Sequence, residues 1–247
     1  MRILIPRETR AGERRVAMVP SVVGKFTQIG CEVLVESGAG VHAYAPDSEY
    51  AAAGAHIIPS PDINIALEAA DVIASVRPLE YTKARRVRAG AICVSFLSPA
   101  IDTDTIRALR DADATGLSFD LVPRISRAQS MDALTSQSLV TGYRAALVAA
   151  DRLPRFFPLF MTAAGTIQPA KVLVLGAGVA GLQAIATAKR LGARVSAYDV
   201  RPSSADEVKS MGGTFITLDL ETLEGSGGYA REMTEERSAR QRELLTP

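Results

Sequence analysis

The stretch that most constrains this chain is KVLVLGAGVAGLQAIATAKRLGARVSAYDVR, Lys171 to Arg201. A short β-branched run, Lys171 to Leu175, leads into Gly176, Gly178 and Gly181, which make G-x-G-x-x-G. An alanine-rich segment at helical spacing follows and ends at Gly192. A second apolar run, Arg194 to Tyr198, delivers Asp199. Strand, glycine turn, helix, strand and acid in that order form the context in which the glycine spacing signals a dinucleotide site. Gly176 allows a tight turn, Gly178 a close approach of backbone to a pyrophosphate, and Gly181 close packing of helix on strand. The helix start offers free N–H groups and the positive end of its dipole to phosphate. Asp199 is expected to accept from the adenine ribose hydroxyls and to repel a 2′-phosphate, favouring NAD(H) over NADP(H). Arg201 works against that preference, because an Arg can pair with the phosphate.

Elsewhere the chain alternates short apolar runs with helical segments. Strands are expected near residues 2–5, 31–37, 56–58, up to 76, 91–96 and 115–119, with helices between them, including 22–29, 49–53, 83–88 and 103–112. That alternation predicts a parallel sheet with helical crossovers. Val122 to Leu147 begins as a polar loop and becomes a helix, with Asp132 or Thr135 as its cap. Leu153 to Pro169 concentrates aromatics and three prolines and reads as a link. After Asp199, a helix over 203–211 and a third strand over 214–218 are expected, then the glycine-rich GSGGYA and a charged helix. The expected domains are an N-terminal α/β domain over 1–136, a connecting helix and linker over 137–169, and a nucleotide-binding domain over 170–247. A full doubly wound sheet has about six strands and its mononucleotide half about three. Only three are legible in the second domain, so it is expected to be incomplete, finished by a partner or a C-terminal continuation.

Composition excludes several classes. Net charge is +1, from 28 basic and 27 acidic residues, without a long basic run, so nucleic acid is not an expected partner. No segment approaches roughly 18 uninterrupted apolar residues. The N-terminus lacks signal-peptide character. Cys31 and Cys93 sit singly in apolar segments and are expected as buried free thiols; His42 and His56 read as structural or surface residues.

Four stretches carry a family resemblance: PRETRAGERRVAMVP with VESGAG; PRISRAQSMDAL with GYRAAL; TAAGTIQPAKVLVLGAGVAGLQAI; and GSGGYA. Together they resemble the family of alanine dehydrogenase and the NAD(P) transhydrogenase alpha subunit, and the last three are similar to its transhydrogenase branch. The resemblance implies an α/β fold of two Rossmann-like doubly wound parallel-sheet domains with a nucleotide cleft between them. It implies NAD(H) as bound substrate, NADP(H) on an NADP-binding, membrane-spanning partner subunit, and hydride transfer coupled to proton translocation. A homodimer, peripheral to the cytoplasmic face of the inner membrane, is implied as well.

Carried over by position, the resemblance assigns Arg124, Gln129, Asp132 and Thr135 to the nicotinamide and its ribose, with Thr135 where Ser is usual. Ile125, Ser126 and Arg127 join Arg124 and Gln129 as cofactor contacts. Gly176, Gly178, Val179, Ala180 and Gly181 line the pyrophosphate, and Asp199, Val200 and Arg201 meet the adenosine. Gly228 and Tyr229 fall in a loop that closes over the nucleotide. No metal site is expected. The family's amino-acid dehydrogenases use a Lys and a His, where this chain has Val76 and Ser98. Arg15 is retained, and Arg77 cannot cycle a proton near neutral pH. Two alternatives stand beside the transhydrogenase reading: a truncated, non-catalytic NAD-binding module, and alanine dehydrogenase.

Overall fold

The computed structural model describes residues 1–123, 125–220, 223 and 233–245. The chain divides into two compact units, Met1–Asp132 and Ala133–Pro247.

The first unit runs β1 (Arg2–Ile5), α1 (Pro20–Gln28), β2 (Glu32–Glu36), α2 (Asp47–Ala52), β3 (His56–Ile58), α3 (Ile63–Ala69), β4 (Val72–Ala74), α4 (Tyr81–Ala84), β5 (Ile92–Ser95), α5 (Thr103–Asp111) and β6 (Thr115–Ser118). Its sheet has the order β3-β2-β1-β4-β5-β6, with every pairing parallel. Strand side chains alternate between faces, and here both faces are buried. Leu4 and Leu34 point to one core with Ile63, Leu67, Ala108 and Leu109 of α3 and α5. Their neighbours Ile3, Ile5, Val33 and Val35 point to the other, with Val23 of α1 and Tyr50 of α2. The near-continuous apolar runs of β1 and β2 therefore reflect a doubly wound sheet. Cys31 and Cys93 are buried free thiols, one in each core, and burial pushes the Cys93 thiol up to about 11.

The second unit begins with α6 (Ala133–Arg152), then an antiparallel hairpin of β7 (Phe160–Thr162) and β8 (Gly165–Ile167). Next come β9 (Lys171–Leu175), α7 (Val179–Arg190), β10 (Arg194–Tyr198), α8 (Ser204–Ser210), β11 (Thr214–Phe215) and α9 (Glu235–Leu245). The parallel order β11-β10-β9 is that of one mononucleotide-binding half. One face of this sheet is a core of Val172, Val174, Val195 and Ala197 beneath Ile185 and Ala188 of α7, with Ala146 and Ala150 of α6 alongside. On the other face of β9, Leu173 and Leu175 are exposed.

Two expectations need correction. The proline-rich link contains the β7–β8 hairpin, whose positive-φ Gly165 turns the chain where composition alone suggested irregular structure. The third strand is shorter than 214–218, because its ladder with β10 extends only over Ser196 and Ala197.

Tyr50 shows how tightly the first unit closes. It is fully buried, and its hydroxyl donates to the Met18 carbonyl at 2.7 Å. Burial, then the charges of Asp47 and Glu49, push its phenol up to about 12. A folded-state value raised above the ordinary 10.0 gives stability that is complete below that value and lost as pH rises through about 12. Tyr50→Phe should cost about 1 kcal/mol at neutral pH by orphaning the Met18 carbonyl. It should also remove the Tyr50 part of the loss of stability in alkali. Urea unfolding of both proteins across neutral and alkaline pH checks the two effects.

Candidate functional site

The second unit builds its site at the carboxyl ends of β9 and β10. Tyr198 pairs with Leu175 in register, and the Gly176 N–H then donates to the Tyr198 carbonyl at 2.8 Å, so the turn leaves β9 while still tied to β10. Gly176 has φ of 92°, where an L side chain is strained. A Cβ on Gly181 would lie 1.8 Å from the Gly176 carbonyl oxygen, so α7 can start this close to the turn only with glycine there. Gly178 is different. It is the N-cap of α7 in extended conformation, with no side-chain cap, and a Cβ there would meet nothing within 4 Å. The backbone thus presents open space in front of the N–H groups of Val179, Ala180 and Gly181, the first turn of a helix of 12 residues. That space and those donors fit a pyrophosphate.

Asp199 closes the other side. Its side chain is only 6% exposed. Oδ2 accepts the Ala177 N–H at 2.6 Å, and Oδ1 accepts the Arg201 N–H at 2.9 Å. The Arg201 guanidinium donates from Nε to Oδ1 at 2.9 Å and from Nη2 to Oδ2 at 3.1 Å. Burial pushes the Asp199 carboxyl up, but the Arg201 guanidinium, the Ala177 and Arg201 N–H groups and the Arg201 charge outweigh it and leave it below its ordinary value. Asp199 is therefore also a tether that holds the glycine turn to the end of β10. Sequence reasoning missed this tether. Its only signal is an Arg two residues beyond the strand-end acid. Val200 follows, its carbonyl accepting the Leu223 N–H at 3.3 Å.

The remaining sequence-derived residues fall in three places. Ile125 precedes a 3-10 turn, Ser126–Met131, that carries exposed Ser126, Arg127 and Gln129 around a buried Ala128. Asp132 ends that turn, its N–H donating to the Gln129 carbonyl at 3.2 Å. Thr135 lies in the first turn of α6. Arg124, Gly228 and Tyr229 lie outside the described residues.

In the first unit the strand order reverses between β1 and β4, the usual position for a ligand crevice in such sheets. There the chain supplies its own carboxylates. Glu8 accepts the Val76 and Arg77 N–H groups at 2.6 and 3.2 Å. Glu13, 5% exposed, accepts from Arg15 Nη2 at 2.6 Å and Arg77 Nε at 2.9 Å. Its bonds with Arg15, outweighing burial, hold its carboxyl down at about 2. Ser98 has positive φ and donates its N–H to Asp120. His42 and His56 are exposed, away from this cluster.

Residues 4–141 match the N-terminal domain of the alanine dehydrogenase/PNT family, and residues 145–245 match its C-terminal domain. The chain belongs to the alanine dehydrogenase/PNT family. Within it, the chain is 48% identical to the first of the separately encoded portions of the NAD(P) transhydrogenase alpha subunit of Rhodospirillum rubrum, over 99% of this chain and 65% of that relative. It is 33% identical to an alanine dehydrogenase of Mycobacterium tuberculosis, over 87% of this chain and 57% of that protein. The crystal structure of transhydrogenase from Sinorhizobium meliloti aligns with TM-score 0.83 and 43% identity, covering 88% of this chain and 64% of that one. This family member thus spans just under two thirds of the transhydrogenase relative and structure.

The tether generates a prediction. Asp199→Ala should destabilise the second unit by roughly 3 kcal/mol, since it strands a mostly buried guanidinium and the Ala177 N–H. Because the folded-state value is depressed, the contribution is present above the ordinary carboxylate range and lost as pH falls through the folded value. Denaturant unfolding at neutral pH, repeated in acid, should show the gap between wild type and variant narrowing as pH falls.

Proposed function

We propose that this chain is the NAD(H)-binding part of a proton-translocating NAD(P) transhydrogenase. The observation that carries the reading is the open backbone cradle at Gly178, flanked by the required glycines 176 and 181 and by Asp199. In this reading the N–H groups of Val179, Ala180 and Gly181 bind the pyrophosphate. Asp199, Val200 and Arg201 meet the adenosine. Arg124 to Arg127, Gln129, Asp132 and Thr135 hold the nicotinamide and its ribose, and Gly228 and Tyr229 close over the nucleotide. Bound NADH supplies the hydride, which passes to NADP⁺ on a partner subunit.

Hydride transfer between two nicotinamides requires closeness, orientation and exclusion of water, without a general acid or base. The polar groups of the 3-10 turn suit that requirement. Gln129 can both donate to and accept from a carboxamide, and Asp132 can hold a ribose hydroxyl. Alanine oxidation, by contrast, needs a group that handles a proton. At the two places where the family's dehydrogenases have one, Val76 is buried with its N–H on Glu8, and Ser98 is held by its backbone.

The coupled proton path belongs, in this proposal, to a membrane-spanning partner, with this chain on the cytoplasmic face. Among the described residues no helix is long and apolar enough to cross a membrane. A second copy of the chain is the proposed occupant of an apolar surface formed by Phe160, Met161 and Ile167 of the hairpin; Leu139, Val140 and Tyr143 of α6 are exposed in the same unit. An exposed group of this kind commonly marks an association surface.

Fluorescence titration tests the binding step: NADH should bind at least about tenfold more tightly than NADPH, a difference of about 1.4 kcal/mol. Equal affinities would remove the role given to Asp199. In an assay reconstituted with an NADP-binding transhydrogenase subunit, Asp132→Asn should lower the hydride-transfer rate by about tenfold or more, with a smaller change in NADH affinity. An unchanged rate would take Asp132 out of the nicotinamide end.

A further inference from the structure

Asp199 is not available to a ribose in this structure. A carboxylate offers about four lone-pair sites. Here four N–H donors meet them: Ala177 N, Arg201 N, Arg201 Nε and Arg201 Nη2. The carboxylate is nearly sealed from solvent, and the Arg201 side chain is itself only 19% exposed. A further pair of hydroxyl donors has no lone pair left to reach.

The four bonds are not equivalent. Two come from backbone N–H groups, and breaking them would release the glycine turn from β10. The other two come from one edge of the guanidinium, Nε on Oδ1 and Nη2 on Oδ2. They form a side-by-side pair of donors spanning both oxygens. A cis-2′,3′-diol presents the same pattern, two O–H donors on adjacent carbons that span a carboxylate. Arg201 is bonded to Asp199 through side chain and backbone, so its side chain can leave while its N–H stays on Oδ1.

Resting on the nucleotide-site reading above, we infer that Arg201 is a specificity-determining residue that occupies the ribose position on Asp199 as an internal mimic of the diol. Binding a ribonucleotide then exchanges one bidentate donor for another. The diol is worth only the difference between its own bonds and those of the guanidinium, and the observed affinity is lowered by the fraction of chains in which Arg201 holds the carboxylate. A nucleotide without the diol loses little, because Asp199 keeps its internal partner. Arg201 thereby mutes the discrimination that a bare Asp199 would impose, both for the diol and against a 2′-phosphate.

The test is a cycle with ADP and 2′,3′-dideoxy-ADP, each displacing NADH from the full chain, in wild type, Arg201→Ala and Arg201→Lys. In wild type, removing the diol should weaken binding only about 2-fold. In Arg201→Ala the same removal should cost about 10-fold or more, through tighter ADP binding, since the freed carboxylate accepts both hydroxyls. Arg201→Lys, which keeps the cation and loses the planar fork, should fall between and serves alone if the alanine variant does not fold by circular dichroism. A diol penalty in the variants equal to or below that of wild type, or ADP binding several-fold weaker in both, would overturn the inference and make Arg201 a direct nucleotide contact or a purely structural partner. Wild-type protein that binds neither NADH nor ADP would instead defeat the nucleotide-site reading on which the inference rests.

Discussion

The second unit depends on one carboxylate. Asp199 stands where β10 ends, accepts the N–H of Ala177 inside the glycine turn, and is clamped by Arg201. Without that acceptor, the turn is tied to β10 only through the Gly176 N–H on the Tyr198 carbonyl. The α7 N-terminus takes its position from this turn, and α7 in turn covers Val172, Val174, Val195 and Ala197. A single buried ion pair rarely adds much net stability over an apolar alternative, because desolvation offsets the Coulomb gain. Its value here is geometric. It fixes where the helix starts, and so where the phosphate donors point.

The two sheets treat the same problem differently. In the first unit the crevice at the reversal of strand order is taken by Glu8 and Glu13, which satisfy the Val76 and Arg77 N–H groups and draw in the Arg15 and Arg77 guanidinium groups. Carboxylates from the chain sit where a small acid would need cationic partners. In the second unit the corresponding edge leaves Gly178 open. Polar groups turned inward in one sheet and left available in the other accord with a chain whose ligand chemistry is concentrated at one turn.

Much of this was legible in the sequence because the constraints are local. Gly176 and Gly181 are required by φ and by a backbone contact within six residues, and such requirements leave a fixed spacing. The six strands of the first unit showed as short β-branched runs because both faces are buried, and Tyr50 and Leu67 fall on the helical faces that cover them. What could not be read was non-local. Glu13 meets Arg77 across 64 positions, and Glu8 meets Val76 across 68. No spacing rule links such residues. The β7–β8 hairpin was hidden for another reason: its strands are three residues long and exposed on both faces, so they carry no alternation to detect.

The acid at the end of β10 was legible, but not its state. Its position alone describes a carboxylate waiting for hydroxyls, whereas the folded chain fills every lone pair. A bare buried carboxylate is costly, since a charge out of water needs partners. A fold that must keep Asp199 at this place therefore has reason to supply an internal partner, and a bidentate one satisfies both oxygens with one side chain. The same partner must then yield when a diol arrives, and a long side chain anchored by its own N–H can do so without loosening the turn. Stability of the site and availability of the site thus compete for the same two hydrogen bonds, and Arg201 is the residue on which that competition is decided.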